Sequence, residues 1–190
     1  DMSGKDIRVK SGSALRIMEV VQSLEKGGRT VRFHDTVNSL CQSGHHVTAV
    51  CFGTFDKPSA AADNVSLPQT AGKKIGLIWQ LVKLIRKHNI DLVHAHCEAS
   101  QLYAGLAARF CHIPAVGTFH RSRLECYQPS LSNRLISFAL SHFVAVSKDR
   151  LRLLTGNMGL PDKRCSVVYG GTSLLSVPSA QVFRPRCQGG

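Results

Sequence analysis

Residues Asp91–His120 read DLVHAHCEASQLYAGLAARFCHIPAVGTFH, and this stretch decides the fold. A short apolar run closes on His94-Ala95-His96. A helix-like segment follows, and a second apolar run closes on Thr118-Phe119-His120. Two strands joined by one helix form the crossover unit of a parallel sheet. Ligands bind such sheets at the carboxyl ends of the strands, so His96 and His120 are expected at one edge. A lone histidine is ordinarily a surface residue or a satisfied core residue. Two at matched strand ends become candidates for a site.

Upstream, Leu15–Val21 (LRIMEVV) has the composition of a strand, and a loop from Gln22 leads to Gly27-Gly28. Arg29–Ser43 has helical spacing, with Val31, Phe33, Val37 and Leu40 expected on one side and Gly44 closing it. Val47–Phe52 is the second strand. The segment from Gly53 to Gly72 is irregular, with a short strand expected near Val65–Leu67. Lys73–His88 (KKIGLIWQLVKLIRKH) is a helix with an apolar stripe and a basic remainder. Asp91–His96 and Ala115–His120 are strands, with the small-residue helix Glu98–Cys111 between them. Downstream, Arg121–Ser130 reads as a loop and Leu131–Ser141 as a helix. Phe143–Ser147 is a strand whose serine caps the helix Lys148–Asn157, and Ser166–Tyr169 is the last strand. Strands and helices alternate throughout. The expected fold is therefore α/β and Rossmann-like, a mainly parallel sheet with helices on both faces.

The chain has 190 residues, 43% of them hydrophobic and 19% charged, which suits one domain with a sizeable core. No run of 18 apolar residues occurs, so no spanning helix is expected. Residues 1–13 lack an apolar core and read as a flexible lead-in or a cloning remnant. The formal charge of +12 favours an anionic partner. With only 6% aromatic residues, and none interleaved with the bases, nucleic acid ranks below a phosphate or a membrane surface. Seven cysteines without a Cys-x-x-Cys pair point to a reducing, cytoplasmic setting without disulfides. No His or Cys falls at zinc-ligand spacing, so no metal is expected.

Gly27-Gly28 lets a backbone approach a ligand at a helix N-terminus, or simply makes a tight turn. The loop lacks the G-x-G-x-x-G fingerprint, and no acidic residue ends the second strand, which argues against a dinucleotide site.

In order and wording these segments resemble the N-terminal domain of retaining GT-B glycosyltransferases of the group-1, family-4 type. The opening strand, Gly-Gly loop, helix and GHHV strand form one matching block. DLVHAHCEASQLYAGLAARFCHIPAVGTFH is a second, FVAVSKDRLRLL a third, and GLPDKRCSVVYGGTSLLSVPSAQVFRP a fourth. Together they run from about Leu15 to Pro185. The resemblance implies one half of a GT-B fold and a nucleotide sugar as co-substrate, with no metal. It implies a glycan or lipid-linked acceptor, and His120 beside the transferred sugar as the catalytic residue. Gly27, Gly28, His96 and Arg150 are implied as substrate-binding positions.

The chain departs from the pattern at Arg29-Thr30 and at Tyr169-Gly170-Gly171, and the second departure touches the donor-side contacts. The expected organisation is a lead-in over 1–13, a GT-B N-terminal domain over 14–178, and the start of an interdomain linker over 179–190. The donor domain is expected to be absent and the chain alone inactive. The helix Lys73–His88 and the segment Arg121–Ser141 read either as core-packing elements with solvated basic faces or as a rest for the inner face of an anionic membrane. A non-catalytic Rossmann-like module binding an anionic ligand or partner stays open as the alternative.

Overall fold

The computed structural model describes residues 14–22, 28–55, 57–67, 74–119 and 127–167. Seven strands are β1 (Arg16–Val21), β2 (His46–Cys51), β3 (Asp63–Ser66), β4 (Leu92–Ala95), β5 (Ala115–Phe119), β6 (His142–Ala145) and β7 (Cys165–Val167). All pair in parallel, in the order β3-β2-β1-β4-β5-β6-β7. The helices are α1 (Gly28–Gln42), α2 (Lys74–Lys87), α3 (Glu98–Phe110), α4 (Leu131–Ala139) and α5 (Lys148–Arg152). The chain builds outward from β1 to β3, then returns through α2 to lay β4 on the other side of β1. The strand order therefore reverses between β1 and β4, the position where open α/β sheets take their ligands.

The inner strands are buried on both faces, and alternate residues join opposite clusters. Met18, Val20, Val93, Ala95, Ala115, Phe119, Phe143 and Ala145 face one cluster, closed by Leu81, Val82 and Ile85 of α2, Ala104 and Ala107 of α3, and Ile136 of α4. Ile17, Val21, Val47, Ala49, Leu92 and Val116 face the other, closed by Phe33, Val37 and Leu40 of α1. Val31 does not share that stripe and is 59% exposed. It stands two residues before Phe33, about 200° around the helix, whereas Phe33, Val37 and Leu40 follow the 4,3 spacing of a single face. Helix α3 lies close to α4 because it is built of small residues. A Cβ placed on Gly105 would stand 2.9 Å from the Ala139 Cβ.

Three helices end in the same hydrogen-bonded cap. After α1, Gly44 has φ +87°, with Gly44 N–H donating to Cys41 O at 3.0 Å and His45 N–H to Leu40 O at 3.1 Å. Asn89 (φ 50°) repeats this after α2 and His112 (φ 58°) after α3. Helix α5 runs directly into a π turn, Leu153–Asn157, so the single helix expected over Lys148–Asn157 is two windings of different pitch.

Candidate active site at the strand reversal

Glu19 interrupts the apolar run of β1 and is fully buried. A buried carboxylate is tolerable only when hydrogen-bonded or neutralised. The parallel register sets Glu19 beside His94 of β4. His94 Nδ1 lies 3.0 Å from Glu19 Oε1 and 2.8 Å from Oε2. Just past the end of β4, His96 donates its backbone N–H to Val20 O at 3.1 Å, which anchors it over β1. Its ring turns inward, with Nε2 2.5 Å from Glu19 Oε2. On the far side, His94 Nε2 is 2.6 Å from Thr118 Oγ1 at the end of β5.

An ionised carboxylate only accepts, so the two nitrogens facing Glu19 are N–H donors. Nδ1 of His94 and Nε2 of His96 therefore carry protons toward the carboxylate, and His94 Nε2 shares its bond with the Thr118 hydroxyl. The four side chains Thr118, His94, Glu19 and His96 thus form one bonded chain, with Glu19 accepting from both imidazoles. Burial alone would raise the Glu19 carboxyl, but the charge and hydrogen bonds of His94 and His96 outweigh it and bring the pKa to about 2. Burial, then repulsion from His94, lowers His96 below the ordinary histidine range, against the opposing pull of Glu19.

Packing fixes the rings. His94 and His96 have centroids 4.2 Å apart, and Phe33 of α1 meets His96 edge-on at 5.3 Å. Gln101 of α3 donates its side-chain N–H to Thr118 O at 3.0 Å. The Gln22 N–H reaches Cys97 Sγ at 3.2 Å, tying the end of β1 to the N-terminus of α3, where Ser100 Oγ accepts from Cys97 N–H at 3.0 Å.

The donor atoms of Glu19, His94 and His96 lie within 4.8 Å of one another, a set of two imidazoles and a carboxylate that suits a divalent cation in kind. The N···O separations in this structure are those of hydrogen bonds. A search for His and Cys at ligand spacing passes over this set because β1 and β4 bring it together from 75 residues apart.

Of the residues singled out from sequence, His96 stands at the reversal between β1 and β4, and Gly28 opens α1 just beyond β1. Arg150 lies in α5, beyond β6 and two strands from β4, its backbone N–H held by Ser147 Oγ at 3.2 Å. Gly27 and His120 fall outside the described residues, as do the proposed lead-in 1–13 and linker 179–190. Sequence reading missed Glu19. Its signal was present: an acidic residue in the middle of a strand-like apolar run is an anomaly that calls for a partner.

The profile of the family described as Glycosyltransferase Family 4 matches residues 26–174. No curated protein matches the sequence at a significant level. Among solved structures, Anabaena HepE in complex with UDP-glucose is similar at TM-score 0.63 and 17% identity, over 83% of this chain and 44% of that one. The lipopolysaccharide outer core galactosyltransferase WaaB is similar at TM-score 0.64 and 15% identity, over 82% and 45%. A UDP-N-acetylglucosamine 2-epimerase from Rickettsia bellii is similar at TM-score 0.60 and 16% identity, over 82% and 44%. The chain thus spans less than half the length of each of these structures. At such identities the likeness is one of fold, a single Rossmann-like half of the GT-B architecture.

Proposed function

The chain belongs to glycosyltransferase family 4, and from that premise we propose that it is the acceptor-side domain of an enzyme that transfers a sugar, with retained configuration, from a nucleotide-sugar donor to a glycan or lipid-linked acceptor. The observation that carries this reading is the coincidence of the family match with a buried carboxylate–imidazole network at the strand reversal of the sheet. A uridine diphosphate sugar is the donor class, on the strength of the UDP-glucose complex of HepE.

In this reading residues 14–178 form the domain. The N-terminus of α1 behind Gly27 and Gly28 offers its free N–H groups to an anionic group in the cleft. His120, next in sequence after β5, stands beside the transferred sugar, where an imidazole opposes charge developing in the transition state. Arg150 contacts phosphate or acceptor. Glu19 is a positioning residue: it fixes the tautomers of His94 and His96 and holds the β1–β4 edge in one geometry. Transfer then depends on orientation of donor and acceptor.

The test joins the chain to the carboxyl-terminal half of HepE and follows labelled glucose from UDP-glucose into a bacterial lipid and glycan extract. Transfer is expected from the joined protein, with a loss of roughly 10²-fold for His120→Ala at unchanged folding. A folded chimaera that binds UDP-glucose but transfers nothing would overturn the reading. So would a His120→Ala chimaera as active as its parent.

A further inference from the structure

Helices α2, α3 and α4 lie side by side on one face of the sheet. Their inner residues close the core. Their outer residues include six of the seven large apolar side chains exposed among the described residues: Ile75 73%, Trp79 48%, Phe110 50%, Leu131 74%, Leu135 40% and Phe138 52%. Single exposed apolar residues are ordinary, but a continuous run of them marks an interaction surface. The run here is continuous. Trp79 and Phe110 meet edge-on at 5.0 Å, which joins α2 to α3. The Arg109 guanidinium stacks 3.6 Å above the Phe138 ring and donates to Phe138 O at 3.2 Å, which joins α3 to α4.

The charges on this face are basic with one exception. Lys83, Arg86, Lys87 and Arg134 are exposed. Neither α2 nor α4 contains an Asp or Glu, and the lone acid of the three helices, Glu98, accepts from Ser132 Oγ at 3.0 Å. A groove of about 600 Å³ opens between the last turns of α2 and α3, lined among others by Arg86, Arg109, Phe110 and His112.

We propose that the α2–α3–α4 face docks on an anionic phospholipid bilayer, with its apolar ridge among the acyl-chain boundary and its bases, with the Arg86–Arg109 groove, on the lipid phosphates. Charge complementarity selects this occupant. A second copy of the same face would set base against base. Tryptophan and phenylalanine beside Lys and Arg match the layering of a membrane interface. No helix among the described residues is long and apolar enough to cross a membrane, so contact is peripheral. Helices in a parallel sheet run opposite to the strands. The first turns of α2 and α4, with Ile75 and Leu131, thus lie at the carboxyl edge, the edge that carries His96 and Thr118. The binding itself does not depend on the sugar-transfer reading.

Trp79 is the only tryptophan of the chain, so its fluorescence reports this face alone. The 190-residue chain would be mixed with vesicles of neutral phosphatidylcholine and with vesicles carrying about 30% phosphatidylglycerol. Expected are binding at least roughly tenfold tighter to the anionic vesicles, weakened by raising salt from about 0.1 M to about 0.5 M, a blue shift of Trp79 emission and protection from aqueous quencher. The double variant I75E/L135E changes only exposed residues and is expected to lose at least roughly tenfold in vesicle binding at an unchanged melting temperature. Equal binding to neutral vesicles, binding that leaves Trp79 open to quencher, or no binding would overturn the proposal. So would a vesicle-free dimer with Trp79 buried, which would name a second copy as the occupant. Wild-type fluorescence decides the matter even if the double variant fails to fold.

Discussion

Glu19 shows what one misplaced charge does to a strand. Replaced by an apolar residue, β1 would be a uniform buried strand. As a carboxylate it demands partners, and His94 and His96 supply them. Glu19→Gln keeps the shape but turns one acceptor oxygen into a donor NH2 facing imidazole N–H groups. It is expected to cost about 1–3 kcal/mol in urea denaturation at neutral pH, the range for a buried group left unsatisfied. The pH dependence separates this charge from another buried group. Glu19 has its pKa lowered from 4.5 to about 2, so its contribution is complete above pH 4.5 and is lost as pH falls toward 2. His142, buried between β5 and β7 with Nε2 2.7 Å from Ser166 Oγ, has its pKa lowered from 6.5 to about 4, chiefly by burial and then by Arg164. It is neutral when folded. Its contribution is complete above pH 6.5 and is lost as pH falls through 4. Acid should therefore weaken the fold in two stages, and Glu19→Gln should flatten only the lower one. An unchanged slope below pH 4.5 in the variant would show that Glu19 is not held ionised by its histidines.

At the scale of elements, most of this architecture is written in local pattern. The strands β2, β4 and β5 and the helices between them were legible because short apolar runs alternate there with stretches of helical spacing. The edge strand β3 was faint because a four-residue strand, DNVS, with no fully buried position carries little apolar signal. Two things were not legible. The network of Glu19 joins residues 75 and 77 apart, and nothing local to β1 names its partners. The outer face of α2 was visible only as a surplus: Ile75, Leu77, Ile78, Trp79, Leu81, Val82, Leu84 and Ile85 are more apolar residues than one inward stripe holds, and the excess faces outward. The caps offer a direct test of local rules. Gly44 takes a positive φ freely, whereas His112 takes the same cap with a Cβ. His112→Gly relieves that strain at the expense of a freer unfolded chain, and a net gain of about 0.5–1 kcal/mol is expected in thermal or urea unfolding. A loss would mean that the imidazole does more in the α2–α3 groove than end a helix.

For the whole molecule, the position of the site and the distribution of stability are one question. The strand reversal lies between β1 and β4, next to the centre of the sheet. Five of the six residues of β1 and all of β4 and β5 are buried. The edges are thinner: β3 has no buried residue and β7 has one. Amide exchange is slow where opening requires global unfolding and fast where a few exposed contacts suffice. The protection order expected from native-state hydrogen exchange is thus β1, β4 and β5 slowest, then β6 and β2, with β3 and β7 exchanging first. The site consequence is specific. Val20 O, which accepts from His96 N–H, belongs to a slow strand, so the His96 amide should exchange with the central strands although it lies just past the end of β4. That would hold its imidazole in place without help from a ligand, as preorganised catalysis requires. If the His96 amide exchanged with the edge strands instead, the Glu19–His96 bond would open in the resting protein. The geometry at the reversal would then be set by a bound ligand and not by the sheet.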